Sequence, residues 1–210
     1  MTRLAEFIRA RAAETYPEPS SPGHDQITAQ ILPEVCKGLP KGFSVLDVGC
    51  GQGVAFPHFM AAGTGAVTGI TTNDTDLKAA AKWCHENDPG CFCCVSKCDM
   101  HDIVDTFPPE KFDLIWARHV LEHSIAPPFV LWEFFQALKP GGLLYCEFPE
   151  PDTSCFHESN QNHYAVFGER AWQHLLLKAD FEIKQAYKWE LQTGAGPDVY
   201  FGFLCRKPER

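Results

Sequence analysis

The segment Val45-Leu46-Asp47-Val48-Gly49-Cys50-Gly51-Gln52-Gly53 runs from an apolar strand pattern into a turn built on three alternate glycines. Glycine lacks the Cβ that would hold a backbone away from a ligand, and it tolerates the positive φ angles of a tight strand-to-helix turn. The segment therefore commits the chain to an open α/β sheet with a nucleotide-type ligand over the turn. Asp47 narrows that ligand. In the dinucleotide arrangement G-x-G-x-x-G, the glycines and the next helix N-terminus face a pyrophosphate, which a carboxylate at the strand end would repel. Val54 also stands where the third glycine or alanine of that arrangement would fall. A cationic amino-acid cofactor suits this loop better than a diphosphate.

The rest of the chain alternates as such a sheet requires. Helical patterns at Arg3 to Glu14 and His24 to Cys36 come first, separated by Pro17, Pro19, Pro22 and Gly23. Strand patterns at Phe43 to Val48, Ala66 to Ile70 and Cys91 to Ser96 enclose a helix through Phe59 and another over Thr75 to His85. The second half offers strand Phe112 to Trp116, helix Phe129 to Leu138, a turn at Lys139-Pro140-Gly141-Gly142 and strand Leu143 to Phe148. Helix Glu169 to Ala179, strand Phe181 to Tyr187, a turn at Gly194 to Pro197 and strand Val199 to Cys205 complete it. This order predicts a parallel sheet flanked by helices. With 210 residues, 45% of them hydrophobic, one domain can bury a full core: residues 43–210 form the cofactor-binding unit and 1–42 a helical cap.

The run D-x-G-x-G-x-G resembles motif I of the class I S-adenosylmethionine-dependent methyltransferases, and further segments resemble that family in chain order between Phe43 and Leu204. The resemblance implies a three-layer α/β sandwich with a Rossmann-like, doubly wound, seven-stranded and mostly parallel sheet whose last strand is antiparallel. It implies S-adenosylmethionine as cofactor and S-adenosylhomocysteine as product, with contacts at Asp47, Gly49, Cys50, Gly51, Gln52 and Gly53. The second strand ends in Gly69-Ile70-Thr71-Thr72-Asn73-Asp74, where the family places an acid for the ribose hydroxyls. Thr71 stands at that position, so the ribose falls to Thr71, Thr72, Asn73 or a water; Asn73 and Asp74 read equally well as a helix cap. Cys98-Asp99-Met100 resembles a family segment in which the acid accepts from the adenine amino group and the next residue touches the ring. Phe112-Asp113-Leu114-Ile115, continuing to Leu121-Glu122-His123, resembles the fourth-strand motif. By that match Ala117, Arg118 and His119 fall beside the methionine part of the cofactor and the reacting methyl.

His119 lies just past a strand's carboxyl end, where open α/β sheets place ligands, and an imidazole titrates in the range useful to a general base. His123 is expected to pack under the following loop. The long polar connection after the fifth strand brings His157, Glu158 and His163. Their spacing is too long for the zinc-protease helix pattern, so acceptor contact is favoured there over a metal. His119, His157 and His163 are thus the candidate catalytic side chains, and no metal is expected. Tyr16, His24 and Gln26 are placed near the ligands by position alone.

A net charge of −9 without any Lys/Arg run disfavours nucleic acid as a partner. No apolar run approaches the roughly 20 residues of a membrane span, so a soluble, cytoplasmic chain without membrane contact is expected. The Cys91, Cys93, Cys94 and Cys98 cluster sits in a strand pattern that would split its thiols between two faces, and paired C-x-x-C knuckles are missing. Reduced, packed thiols are expected rather than zinc. Neither a D-P-P-Y-like run after the fourth strand nor a Pro-Cys pair occurs, which favours a small-molecule acceptor, with a protein side chain as the alternative. Two competing readings remain: a nicotinamide-dependent oxidoreductase, argued by the glycine loop and opposed by Asp47, and a non-catalytic S-adenosylmethionine-binding module, argued by the missing acid at position 71.

Overall fold

The computed structural model describes residues 3–12, 22–88, 90 and 92–209. Helices α1 (Arg3–Ala12) and α2 (Pro22–Cys36) lead into strand β1 (Ser44–Val48), helix α3 (Phe56–Ala61), strand β2 (Ala66–Thr71), helix α4 (Asp74–Asn87) and strand β3 (Cys93–Lys97). Short helix α5 (Ile103–Thr106), strand β4 (Phe112–Arg118), helix α6 (Pro127–Ala137), strand β5 (Leu138–Pro149) and helix α7 (Glu169–Lys178) follow, then a hairpin of β6 (Glu182–Thr193) and β7 (Gly196–Arg206). The sheet order is β3-β2-β1-β4-β5-β7-β6. The first five strands pair in parallel, while β7 runs antiparallel to both β5 and β6.

The period-2 alternation of β1 and β4 builds two cores. Val45, Leu114 and Trp116 face α2, α3 and α4 and pack with Leu32, Phe56, Phe59 and Ala80. Leu46, Ile115 and Ala117 face the other layer and pack with Phe134 of α6 and Trp172 and Leu176 of α7. Each fully buried side chain of this size contributes on the order of 1.5–3 kcal/mol, so both helix layers are fastened to the sheet by burial. Among the described residues, no helix is long and apolar enough to cross a membrane.

Several boundaries differ from the sequence patterns, three of them informatively. The Lys139 to Gly142 turn lies inside β5: Gly141 takes φ +76°, yet its N–H donates to Lys207 O and Lys207 N–H donates to Gly142 O, so the ladder to the C-terminal strand survives the kink. The last hairpin is longer than its apolar pattern, because β6 is largely exposed along its outer residues and is held by the ladder to β7. Strand β3 begins at Cys93; Cys91 lies outside the described residues.

From β1 the chain steps outward through β2 and β3, then returns to place β4 on the opposite side of β1. That reversal opens a crevice at the carboxyl ends of β1 and β4, the place where doubly wound sheets bind their ligands.

Candidate active site

A cavity of about 310 Å³ fills this crevice, lined by Asp47 and the 49–52 turn, Thr71 to Asn73, Asp99, Met100, Arg118 and His119. Residues distant in sequence are thereby brought around one space. Gly49 takes φ +65°, and a Cβ there would stand 2.2 Å from Val120 Cγ1, so this glycine closes the turn against the loop after β4. Gly51 takes φ +50° with nothing within 4 Å of a built Cβ, so its bare backbone faces open space. A ligand can lie directly on that peptide.

Asp47 is only 3% exposed, and its Oδ2 has no hydrogen-bond partner among the described residues. Burial pushes its carboxyl up to about 8, against the opposing pull of the Arg118 guanidinium. Such a group lacks a donor or a cation. Asp76, in the first turn of α4, is buried on the same cavity wall and raised by burial, with Gln52 hydrogen-bonded to it as a lowering influence. A carboxylate thus reaches the end of β2 from α4, although Thr71 occupies the strand position itself. Asn73 Oδ1 caps α4 by accepting from Thr75 N–H at 2.9 Å and Asp76 N–H at 3.1 Å. On the next wall, Asp99 Oδ1 lies 2.6 Å from His101 Nδ1, whose other nitrogen lies 3.0 Å from Ser124 Oγ.

The fourth wall holds a buried ionic network. Glu147 of β5 is fully buried; Arg118 Nε and Nη2 donate to its Oε1 at 3.0 and 2.6 Å, and Tyr145 OH donates to Oε2 at 2.8 Å. Burial alone would raise Glu147, but Arg118 and His119 bring it down to about 2. The carboxylate is therefore ionised and accepts, so His119 Nε2, 2.9 Å from Oε1, carries the proton it donates. His119 also sits at φ +53°, and its N–H donates to Glu147 O. A left-handed backbone at a non-glycine residue costs on the order of 1–3 kcal/mol and persists where surrounding contacts impose it.

Several expected site residues lie off the cavity wall. Ala117 points to the opposite face, because Arg118 and Trp116 on either side of it face the cavity. The Cα of Gly53 is covered by the Phe56 ring, which a Cβ would approach to 2.8 Å. His157 is drawn behind the wall by Asp198, whose Oδ1 lies 3.0 Å from its Nε2, and His163 stacks on it with ring centroids 5.7 Å apart. Burial and neighbouring imidazoles push His163 down to about 4. The same connection instead presents Asn162 and Tyr164 to the cavity. Gln26 is exposed and off the wall, whereas Ile8, Asp25 and Thr28 line it; Tyr16 and the His24 side chain lie outside the described residues. Arg118 Nη1 donates to Thr28 Oγ1, tying α2 to the network. Asp76, His101 and Thr28 went unmarked in the sequence, whereas Glu147 stands out there as a lone acid in an apolar strand.

Residues 46–146 match the family described as a methyltransferase domain. The sterol methyltransferase-like 2 of Botryococcus braunii is 31% identical over 184 residues, which cover 85% of this chain and 44% of that protein. The chain spans 28% of the sterol 24-C-methyltransferase erg6 of Aspergillus fumigatus and 58% of the ubiquinone biosynthesis O-methyltransferase of Pseudomonas savastanoi, so it covers less than two thirds of these curated relatives. Among solved structures, phosphoethanolamine N-methyltransferase 2 of Haemonchus contortus, bound to phosphomonomethylethanolamine and S-adenosylhomocysteine, superposes with TM-score 0.72 at 17% identity, covering 90% of this chain and 54% of that one. The [4+2]-cyclase SpnF superposes with TM-score 0.73 at 19% identity, covering 98% and 93%. These two likenesses concern the fold alone, and the cyclase illustrates that one fold hosts more than one reaction. Sheet order, ordered motifs and the family match together make this chain a member of the class I S-adenosylmethionine-dependent methyltransferases.

Proposed function

We propose that this chain transfers the methyl group of S-adenosylmethionine to a small-molecule acceptor whose nucleophilic atom carries a proton. The observation that carries the reading is the pairing, across one cavity, of the buried Asp47 Oδ2, which has no hydrogen-bond partner among the described residues, with the imidazole of His119. The cavity chemistry suits the cofactor: Asp47 answers an ammonium, Gly51 leaves room for the chain beneath it, and Asp99 beside Met100 offers an acceptor next to an apolar surface. When bound, S-adenosylmethionine supplies a methyl already activated on a sulfonium.

In this reading Asp47 and the glycine turn hold the amino-acid end, and Asp76 with Gln52 takes the ribose hydroxyls in place of an acid at position 71. His101 fixes the Asp99 carboxylate toward the adenine side. Glu147 keeps the His119 proton on Nε2, so Nδ1 is the basic atom that takes a proton from the acceptor. Arg118 neutralises Glu147 and thereby stops it from drawing that proton away. Helices α1 and α2 act as a cap, since Ile8, Asp25 and Thr28 cover the cavity and Thr28 binds Arg118. Orientation and exclusion of water supply most of the acceleration, because the leaving group needs no further activation.

Incubation with methyl-labelled S-adenosylmethionine and panels of small amines, phenols and sterols, with S-adenosylhomocysteine release as readout, tests the proposal. Acceptor-dependent release is expected. Label entering only protein side chains would favour the alternative acceptor, and tight binding without turnover by any panel would favour a binding module.

A further inference from the structure

We propose that Glu133 of α6 is a positioning residue for the adenine wall, holding the segment that carries Asp99 and Met100 in the shape that selects an amino-substituted purine. The inference rests on the reading of Asp99 as the acceptor for the adenine amino group. Glu133 is buried and does not itself line the cavity. Its Oε2 accepts from Val104 N–H at 2.7 Å, in the first turn of α5.

Asp102, the residue before α5, places no side-chain oxygen on that turn, so the acceptor that caps it comes from another helix, 29 residues beyond Val104. Burial pushes the Glu133 carboxyl up to about 6, the Val104 N–H pulls it down, Asp105 and Asp102 push it further up, and the Ile103 N–H opposes them. An acid buried beside two others is unfavourable in itself. Here it is offset by the orphan N–H groups of the turn it caps.

The capped turn and the adenine wall are one closed loop. Asp102 N–H donates to Asp99 O at 3.0 Å, Thr106 Oγ1 donates to Asp102 O at 2.8 Å, and the same hydroxyl lies 3.3 Å from Cys98 Sγ. Inside the loop, His101 N–H donates to Asp99 Oδ1 at 2.9 Å and the ring Nδ1 stands 2.6 Å from that oxygen. Among the described residues Asp99 Oδ2 accepts no hydrogen bond, so it is the oxygen left for a ligand. Helix α6 meets this loop twice along one face: Phe129 stacks on the His101 ring with centroids 6.5 Å apart, and Glu133, one turn on, takes Val104. A shift of α5 therefore reaches Asp99 through Asp102, and about 1 Å is enough to spoil the contact. An oxo purine presents Asp99 with an acceptor where adenine presents a donor, so the choice between them depends on where that carboxylate stands.

The test compares S-adenosylhomocysteine with S-inosylhomocysteine, its oxo counterpart, by calorimetry on the whole chain. The parent should bind the adenine compound at least ~10-fold more tightly. Glu133→Ala should weaken the adenine compound ~10-fold and change the oxo compound less than ~3-fold, so that the preference collapses. Glu133→Gln, whose amide oxygen can still accept from Val104, should keep it. A residue with only a structural role would lower Tm or weaken both compounds alike. A preference that survives in Glu133→Ala therefore overturns the inference and leaves the Asp99 reading standing, whereas a parent without preference, or without binding, overturns both. Where Glu133→Ala does not fold, amide exchange on the parent decides. With free S-adenosylhomocysteine at about 100 times Kd, the Val104 amide should exchange at least ~10-fold more slowly, because the opened loop would no longer bind the ligand. An unchanged Val104 rate overturns the inference.

Discussion

Burial holds Asp47 near a pKa of about 8, so at neutral pH it retains a proton that an arriving ammonium must displace. Binding of S-adenosylhomocysteine at pH 7 should therefore release close to one proton per chain. Calorimetric titrations in buffers of different ionisation enthalpy measure this, and the release should vanish in Asp47→Asn. A heat independent of buffer in the parent would remove Asp47 from the ligand's contacts. Asp76 belongs to the same scale: losing a buried carboxylate that binds hydroxyls should weaken S-adenosylhomocysteine about 10-fold in Asp76→Ala. If affinity is unchanged, the ribose is held elsewhere. His119→Ala should lower kcat by roughly 10²–10⁴-fold with cofactor affinity nearly kept, the signature of a lost base. Asp47 was legible in the sequence because its spacing to the glycines is local. Asp76 was not, because an acid in the first turn of a helix is ordinary until the fold turns it toward Gln52 and the cavity.

At the scale of elements, the glycine turn divides into a structural part and a binding part. Gly49→Ala meets both a positive φ and Val120, and should cost about 3 kcal/mol, or a fall in Tm of about 6–12 °C. Gly51→Ala has only the backbone term, about 1 kcal/mol and about 2–4 °C, yet its methyl enters the open space and should weaken S-adenosylhomocysteine by 10-fold or more. Thermal unfolding and calorimetry on the two variants separate stability from binding; equal losses in both would refute the division. The strands and helices around this turn could be read from the sequence because alternation and periodicity are local. The kink at Gly141 could not, since only the bonds to Lys207 keep it in the sheet. The loop after β5 was read as catalytic through His157 and His163, but Asp198 and Tyr200, about 40 residues on, draw His157 off the wall and leave Asn162 and Tyr164 there.

Over the whole molecule, the sheet reversal places an acid, a glycine turn and an imidazole network around one cavity, and the same network makes the fold acid-sensitive. Glu147 is held at about 2 against an ordinary value of 4.5, and Asp113 and Asp198 are also lowered. A depressed folded-state pKa gives stability that is fully present above the ordinary value and lost as pH falls through the folded one. Tm should therefore drop steadily from pH 5 to pH 3. Glu147→Gln should be less stable at pH 7, because Arg118 loses its buried partner, but its Tm should fall less steeply in that acid window. An unchanged slope would mean that the Glu147 network contributes nothing to acid stability. The central claim, that the cavity between β1 and β4 is a methyl-donor site, is tested most directly by calorimetric titration with S-adenosylhomocysteine beside a nicotinamide dinucleotide. The account predicts saturable one-to-one binding of S-adenosylhomocysteine and no heat from the dinucleotide. Saturable dinucleotide binding without S-adenosylhomocysteine binding would contradict it.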